Sequence, residues 1–135
     1  MLGANFSRCH RLLNVNDFRK VFDEAEIKLS EKNFLILIRR AESKIPKLGI
    51  VISKKKVRLA VNRNRCKRII RESFRTHQKL LAGLELVVCA RYGLDKLSTT
   101  DLHERLQHQW QRTLRKRQKL VKYNESADRE LLYSN

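Results

Sequence analysis

The chain is short of several kinds of residue, and each shortage excludes a class of protein. Its 135 residues include only four glycines and one proline, which excludes a collagen-like or low-complexity chain. Its longest apolar runs, at 34–38 and 86–90, are too short to cross a membrane. The first 13 residues lack the apolar stretch of a secretory signal. We therefore expect a cytoplasmic protein with no membrane partner.

Acidic residues are also scarce. The chain has 14 Asp and Glu against 31 Lys and Arg, so its formal net charge is +17. Small soluble domains usually carry a net charge of about 2–8. An excess of this size is typical of proteins that bind a polyanion such as nucleic acid.

The residues that active sites need do not cluster along the chain. Asp23, Glu24 and Glu26 are close together, but no second acidic cluster completes a two-metal site. The four histidines and three cysteines lack the spacings of metal sites, and no glycine-rich phosphate loop is present. The odd number of cysteines favours free thiols over a disulfide framework. We expect no catalytic residue and no metal site on the protein.

Hydrophobic periodicity and capping signals predict a single α+β domain. Asn14 and Ser98 are placed to cap the first and last helices, and Gly83 to follow the end of the longest one. The predicted elements are a helix at 15–23, strands at 27–30, 33–40 and 48–53, a helix at 61–81, a strand at 84–90 and a helix from 99 to about 116. The order is therefore α-β-β-β-α-β-α, with the four strands in one small sheet.

The helix at 61–81 connects the third and fourth strands, so these two strands could run parallel. General rules favour a right-handed crossover for such a connection. Residues 1–117 are expected to form one nucleic-acid-binding domain that is loose up to about residue 10. Residues 118–135 lose the hydrophobic period and mix charges, which predicts a disordered tail.

Positive charge is concentrated between residues 53 and 75, where ten Lys and Arg accompany a single acid, Glu72. A solvated helix face usually interleaves both signs, because unlike charges one turn apart attract. Here like charges recur at helical spacing, which disfavours the isolated helix. Bound phosphates would offset this repulsion, so the pattern predicts a phosphate-binding surface rather than a solvated face.

Phe18 and Phe22 lie one turn apart on the first predicted helix. Aromatic residues at this spacing usually pack in a core, which is the interpretation that the residues alone favour. The alternative is a platform on which unpaired bases stack, as in proteins that bind single strands.

The segment 57–72, VRLAVNRNRCKRIIRE, resembles the signature of the bacterial ribonuclease P protein component, through its Arg63-Asn64-Arg65 triplet. The first helix, the strand before the basic loop, the fourth strand and the last helix are similar as well, so that the resemblance covers residues 11–117. Cys66 departs from it, because an aliphatic residue is usual at this place.

The basic loop is a second departure, because residues 54–59 carry Lys and Arg where many members of the family have a glycine. The resemblance implies a left-handed β-α-β crossover around the helix that bears the triplet, against the general rule. We adopt the left-handed crossover on the resemblance alone.

The resemblance also implies a function, as the protein subunit of the ribonucleoprotein that removes the 5′ leader from precursor tRNA. The catalytic RNA would carry out the cleavage and bind the Mg²⁺ that the ribonucleoprotein needs, with no cofactor held by the protein alone. The protein would bind the catalytic RNA and the leader and lower the Mg²⁺ requirement. A monomer is implied, with one copy per catalytic RNA.

Two RNA contacts follow from the resemblance. The basic helix and the loop before it would contact the catalytic RNA, through Lys54, Lys55, Lys56, Arg58, Arg63, Asn64, Arg65, Lys67, Arg68, Arg71 and Arg75. The first helix and the sheet would form a cleft for the single-stranded leader, lined by Phe18, Phe22, Leu35 and Leu37.

Two other functions fit the size and charge of the chain. A structural RNA-binding protein of the ribosomal type would share both properties and have no effect on leader cleavage. A self-sufficient nuclease would need paired carboxylates, which the sequence does not supply.

Overall fold

The computed structural model describes residues 10–12, 14–41 and 43–133, and side chains up to residue 119. Three helices and four strands follow one another in the predicted order. They are α1 (Val15–Glu24), β1 (Ile27–Ser30), β2 (Phe34–Arg40), β3 (Lys47–Val51), α2 (Ala60–Thr76), β4 (Leu84–Ala90) and α3 (Thr99–Tyr133), with a short 3-10 turn at Leu94–Lys96 before α3. The predicted α+β fold class is confirmed.

The four strands form one mixed sheet in the order β1-β2-β4-β3. β2 pairs antiparallel with both β1 and β4, whereas β3 pairs parallel with β4 along its other edge. The helix α2 therefore connects two neighbouring parallel strands, as the sequence predicts. The left-handedness of this crossover stays a prediction.

The main core lies between one face of the sheet and the helices α2 and α3. Alternate residues of each strand point into it, because successive side chains of a strand lie on opposite faces. From α3 it receives Leu102, Leu106 and Trp110, which repeat every four residues and are all fully buried. The indole nitrogen of Trp110 donates a hydrogen bond to the Ser73 hydroxyl of α2 at 2.8 Å, so the two helices share a buried polar contact.

A second, smaller cluster lies on the opposite face of the sheet, under α1. The register aligns Leu37, Val87 and Gly49 in one row across three strands, and the first two are buried with Val21 of α1. The predicted cap of α1 is present, since the side chain of Asn14 accepts a hydrogen bond from the backbone of Asp17 at 2.9 Å.

The longest predicted helix ends earlier than its pattern indicates. α2 stops at Thr76, and turns occupy residues 77–83. The side chains of Thr76 and His77 both lie within hydrogen-bonding distance of the Ser73 carbonyl, at 3.0 and 2.7 Å, and so compete with the helical hydrogen bonds there. Gly83 marks the start of β4 rather than the end of the helix, with a φ of 80° that favours glycine.

The last helix runs on to Tyr133, beyond the predicted end near Lys116. The prediction of a disordered tail at 118–135 therefore differs from the backbone of residues 118–133, which is helical. The loss of hydrophobic period does not stop a helix by itself, and this stretch has no glycine or proline to break it. The division of the chain at residue 117 stays a prediction. The residues up to about 10 that were predicted to be loose lie outside the described ones, apart from His10.

No helix among the described residues is long and apolar enough to span a membrane.

Candidate nucleic-acid interface

The exposed side of α2 carries a stripe of side chains that the sequence assigns to the catalytic RNA. Asn64, Arg68 and Arg71 are exposed and Arg75 is half-buried, and together with Glu72 they line a hollow of about 350 Å³. Their spacing of three and four residues places them on one side of the helix, opposite the buried Cys66 and Phe74. The buried face explains why α2 forms, and it forces the charged stripe toward solvent.

Not every cation of this stripe is equally available. The guanidinium of Arg75 forms an ion pair with Glu72 of the preceding turn at 2.5 Å, and this contact lowers the pKa of the Glu72 carboxyl. Arg68 makes no hydrogen bond or ion pair with the other described residues, so its guanidinium can donate to a phosphate without losing a protein partner. We infer that Arg68 is the best placed side chain of the stripe for a bidentate phosphate contact.

Two other arginines of α2 hold the protein together instead. Arg65 donates hydrogen bonds to the backbone carbonyls of Asp95 and Leu97, at 2.9 and 3.2 Å, and so ties α2 to the turn before α3. Arg63 donates to the carbonyls of Val57 and Arg58, at 3.1 and 2.8 Å. Both guanidinium groups already bind backbone carbonyls of the protein. The phosphate contacts predicted for these two residues stay predictions.

The loop between β3 and α2 presents its own cations. Lys54, Lys55 and Arg58 are exposed, whereas Lys56 is half-buried with its ammonium 4.0 Å from the centre of the Tyr92 ring. Because Arg63 binds the carbonyl at Arg58, the loop is anchored to the helix that follows it. We call the loop cations and the α2 stripe together the positive surface.

The four residues predicted to line the leader cleft lie on the α1 side of the sheet. Phe18 and Leu35 are partly buried in the second cluster, and Leu37 is almost fully buried within it. Phe22 is outside the cluster, with 46% of its surface exposed. The structure thus brings three of the four residues together. Phe22 lies on the surface of α1, so the interpretation that it packs in the core is wrong.

A cavity of about 150 Å³ joins the two predicted contacts. Phe18 and Gly49 line it together with Lys67 and Arg71 of α2. Arg11 also lines it, because the backbone at residues 11 and 12 pairs with Leu48 on the outer edge of β3. An aromatic ring and three cations therefore surround one space, which is an arrangement suited to a base and its phosphates.

The sequence does not reveal the position of Arg11 in this cavity. Its place depends on a contact with Leu48, 37 residues farther along the chain, for which no local pattern exists. The other lining residues were predicted separately, Phe18 for the leader and Lys67 and Arg71 for the catalytic RNA. Only the fold shows that they share one cavity.

Metal ligands do not gather in this interface. Within the part of the chain that the structure describes, no three His, Cys, Asp or Glu side chains are close enough to hold an ion. Burial raises the pKa of both described thiols, Cys66 and Cys89, which keeps them protonated.

Comparison with known proteins covers most of the chain. The model of one protein family, Ribonuclease P, matches residues 6–114. The chain belongs to the ribonuclease P family. Ribonuclease P protein components of Pseudomonas entomophila and Pseudomonas aeruginosa are 46% and 47% identical to it over 117 residues, which is 87% of this chain and 88% and 87% of theirs.

Solved structures of ribonuclease P proteins share the fold. The protein from Thermotoga maritima superposes with a TM-score of 0.67 at 30% identity, over 76% of this chain and 96% of its own. The protein from Staphylococcus aureus gives a TM-score of 0.68 at 28% identity, over 73% and 90%. Membership of the ribonuclease P family, which the Arg63-Asn64-Arg65 segment predicts, is confirmed. The assignment of single residues to the catalytic RNA or the leader stays a prediction.

Proposed function

We propose that this chain is the RNA-binding subunit that assists a catalytic RNA in removing the 5′ leader from precursor tRNA. The observation that carries the proposal is the cavity beside β3, where Phe18 meets Lys67, Arg71 and Arg11. It links a surface suited to phosphates with a surface suited to unpaired bases. A subunit that must hold a structured RNA and a single strand at once needs such a junction.

The division of labour follows from the side chains that the protein offers. The catalytic RNA binds the Mg²⁺ ions and performs the cleavage, while the protein supplies cations and stacking surfaces. Endonuclease activity therefore belongs to the ribonucleoprotein.

The leader lies along the α1 side of the sheet in this proposal. Phe22 offers its exposed ring to a base, and Phe18 lines the cavity beside β3. Stacking of this kind contributes about 1–3 kcal/mol per base. Leu35, which is half-buried, supplies an apolar floor, and the buried Leu37 supports it from within the cluster.

The net charge of +17 explains how the protein lowers the Mg²⁺ requirement. Catalytic RNA and precursor tRNA repel each other, and either divalent ions or bound protein cations screen that repulsion. The protein therefore matters most when Mg²⁺ is scarce. One protein monomer binds one catalytic RNA, in the cytoplasm where tRNA is processed.

The test is a cleavage assay on precursor tRNA with and without catalytic RNA, over a series of Mg²⁺ concentrations. We expect no cleavage by the protein alone, and a large stimulation of the catalytic RNA at low Mg²⁺ that fades as Mg²⁺ rises. A structural protein of the ribosomal type would bind RNA without stimulating cleavage. Cleavage by the protein alone would show a self-sufficient nuclease.

A second arm of the test addresses the leader. Phe22→Ala should lower affinity for precursor tRNA about fivefold to a hundredfold, the loss of one stacked base, and hardly change affinity for mature tRNA. The matched control is Val15→Ala, because Val15 is exposed on the same helix and belongs to neither predicted contact. Equal loss with both forms of tRNA would remove Phe22 from the leader contact.

A further inference from the structure

Tyr92 lies beside the basic loop although it belongs to a different part of the chain. It follows β4, and the basic loop follows β3; since these strands are parallel neighbours, both segments leave the sheet at the same end. Tyr92 is 57% exposed, and the Lys56 ammonium lies 4.0 Å from the centre of its ring. An exposed aromatic ring therefore borders the positive surface at a point remote from Phe18 in sequence.

The backbone under this ring is held in place. Asn33, which is almost fully buried, donates a hydrogen bond to the Tyr92 carbonyl at 3.1 Å and accepts one from Arg105 at 3.3 Å. Gly93 has a φ of 87°, and a Cβ there would lie 2.8 Å from the Asn33 side chain. The ring is therefore presented to solvent by an ordered turn, which reduces the entropy that a ligand must overcome on binding.

A hollow of about 440 Å³ opens next to the ring. Lys32, Lys96 and Arg105 bring three cations to its lining, and the described lining residues include no carboxylate. Its volume lies within the range of about 300–1,000 Å³ that is usual for small-molecule sites, large enough for one nucleotide. An aromatic face framed by cations is the combination that binds unpaired nucleotides without regard to sequence.

We propose that this hollow, the Tyr92 site, binds one unpaired nucleotide of the catalytic RNA. The base stacks on the Tyr92 ring, and Lys32 and Lys96 neutralise the adjacent phosphates. The catalytic RNA is the occupant because Lys56 joins the site directly to the loop that faces it in the proposed function, on which this inference rests. An acidic protein segment would use the cations but leave the exposed ring without a planar partner.

The experiment measures affinity of the full chain for catalytic RNA in the absence of precursor tRNA. Tyr92→Ala and Tyr92→Leu should each lower the affinity about fivefold to a hundredfold, whereas Tyr92→Phe and Tyr92→Trp, which keep a stacking face, should stay close to the wild type. Lys96→Ala should reduce the slope of log affinity against log salt by about 0.7–0.9. Gln107→Ala, an exposed polar change on α3, is the control.

Each outcome decides between the alternatives. If the wild-type protein fails to bind catalytic RNA, the proposed function is wrong. If it binds and all four Tyr92 variants bind equally well, the Tyr92 site is wrong and the proposed function stands. Equal affinities for Tyr92→Phe and Tyr92→Leu, or a loss seen only when precursor tRNA is added, would also overturn the site as stated. Melting temperatures of each variant show that the fold is intact.

Discussion

The aromatic ring of Phe18 in α1 lies directly over Gly49 in β3. A Cβ at position 49 would be 2.5 Å from Cε1 of the ring and 2.7 Å from Cζ, closer than nonbonded atoms approach. The glycine therefore lets α1 sit low on the sheet and brings the ring to the wall of the cavity that it shares with Lys67 and Arg71.

Gly49→Ala should displace this ring. We expect a loss of stability of about 1–3 kcal/mol, as for other overpacked sites, together with weaker binding of precursor tRNA. Mature tRNA, which has no leader, should bind as before. Thermal melting and competition between the two forms of tRNA would measure both effects. A variant with unchanged melting temperature and unchanged preference for precursor would show that the contact with Phe18 has no role.

Arg65 and Arg68 lie within one turn of α2 and should behave differently. Arg65→Ala removes hydrogen bonds to the carbonyls of Asp95 and Leu97 and should destabilise the protein by about 1.5–3 kcal/mol. Arg68→Ala should leave the melting temperature unchanged and reduce the salt dependence of binding to catalytic RNA by about one counterion-release unit. Each of the two variants is the control for the other. Equal melting temperatures for the two variants would contradict the structural role of Arg65.

The hydrogen bond between Trp110 and Ser73 should contribute more to the free energy of unfolding than a single exposed hydroxyl would. Ser73→Ala leaves a buried indole N–H without an acceptor, which should lower the free energy of unfolding by about 1–3 kcal/mol. In a double-mutant cycle with Trp110→Phe, which removes the donor, the two losses should sum to more than the loss in the double variant. Denaturant unfolding gives the four free energies. Strict additivity would show that the contact does not couple the helices.

Glu26 should contribute to the stability of the fold at neutral pH but not in acid. The hydrogen bond from Arg40 lowers the pKa of the Glu26 carboxyl below the ordinary value for glutamate. The folded state therefore favours the charged form, which contributes stability above the ordinary pKa and loses it as the pH falls through the lowered one. Glu26→Gln should be less stable than the wild type at neutral pH, with a difference that disappears in acid.

Urea unfolding between neutral and acidic pH would measure this difference, with the exposed Glu104→Gln as control. The effect should be modest, because the Glu26 and Arg40 side chains are 30% and 39% exposed. A difference that is constant with pH would show that the ion pair with Arg40 has no part in it.

Most of the fold could be predicted from the sequence, because its signals are local. The run of apolar residues in β2, the caps at Asn14 and Ser98, and the four-residue repeat through Trp110 each act within a few positions. The end of α2 could not be predicted in this way. There the side chains of Thr76 and His77 compete for one carbonyl, and a periodic pattern does not record such competition.

The same distinction between local signals and long-range contacts applies to the candidate interface. A basic helix and its charged side could be predicted from the sequence, since the apolar side of α2 must face the core and the cations must then face solvent. The contacts of particular cations depend on the folded chain. Arg65 donates to distant carbonyls, Arg11 reaches the cavity through the backbone pairing with Leu48, and Lys56 lies against the Tyr92 ring. These contacts join residues that lie some 30 positions or more apart, so they depend on how the chain folds back on itself, and no local pattern encodes them.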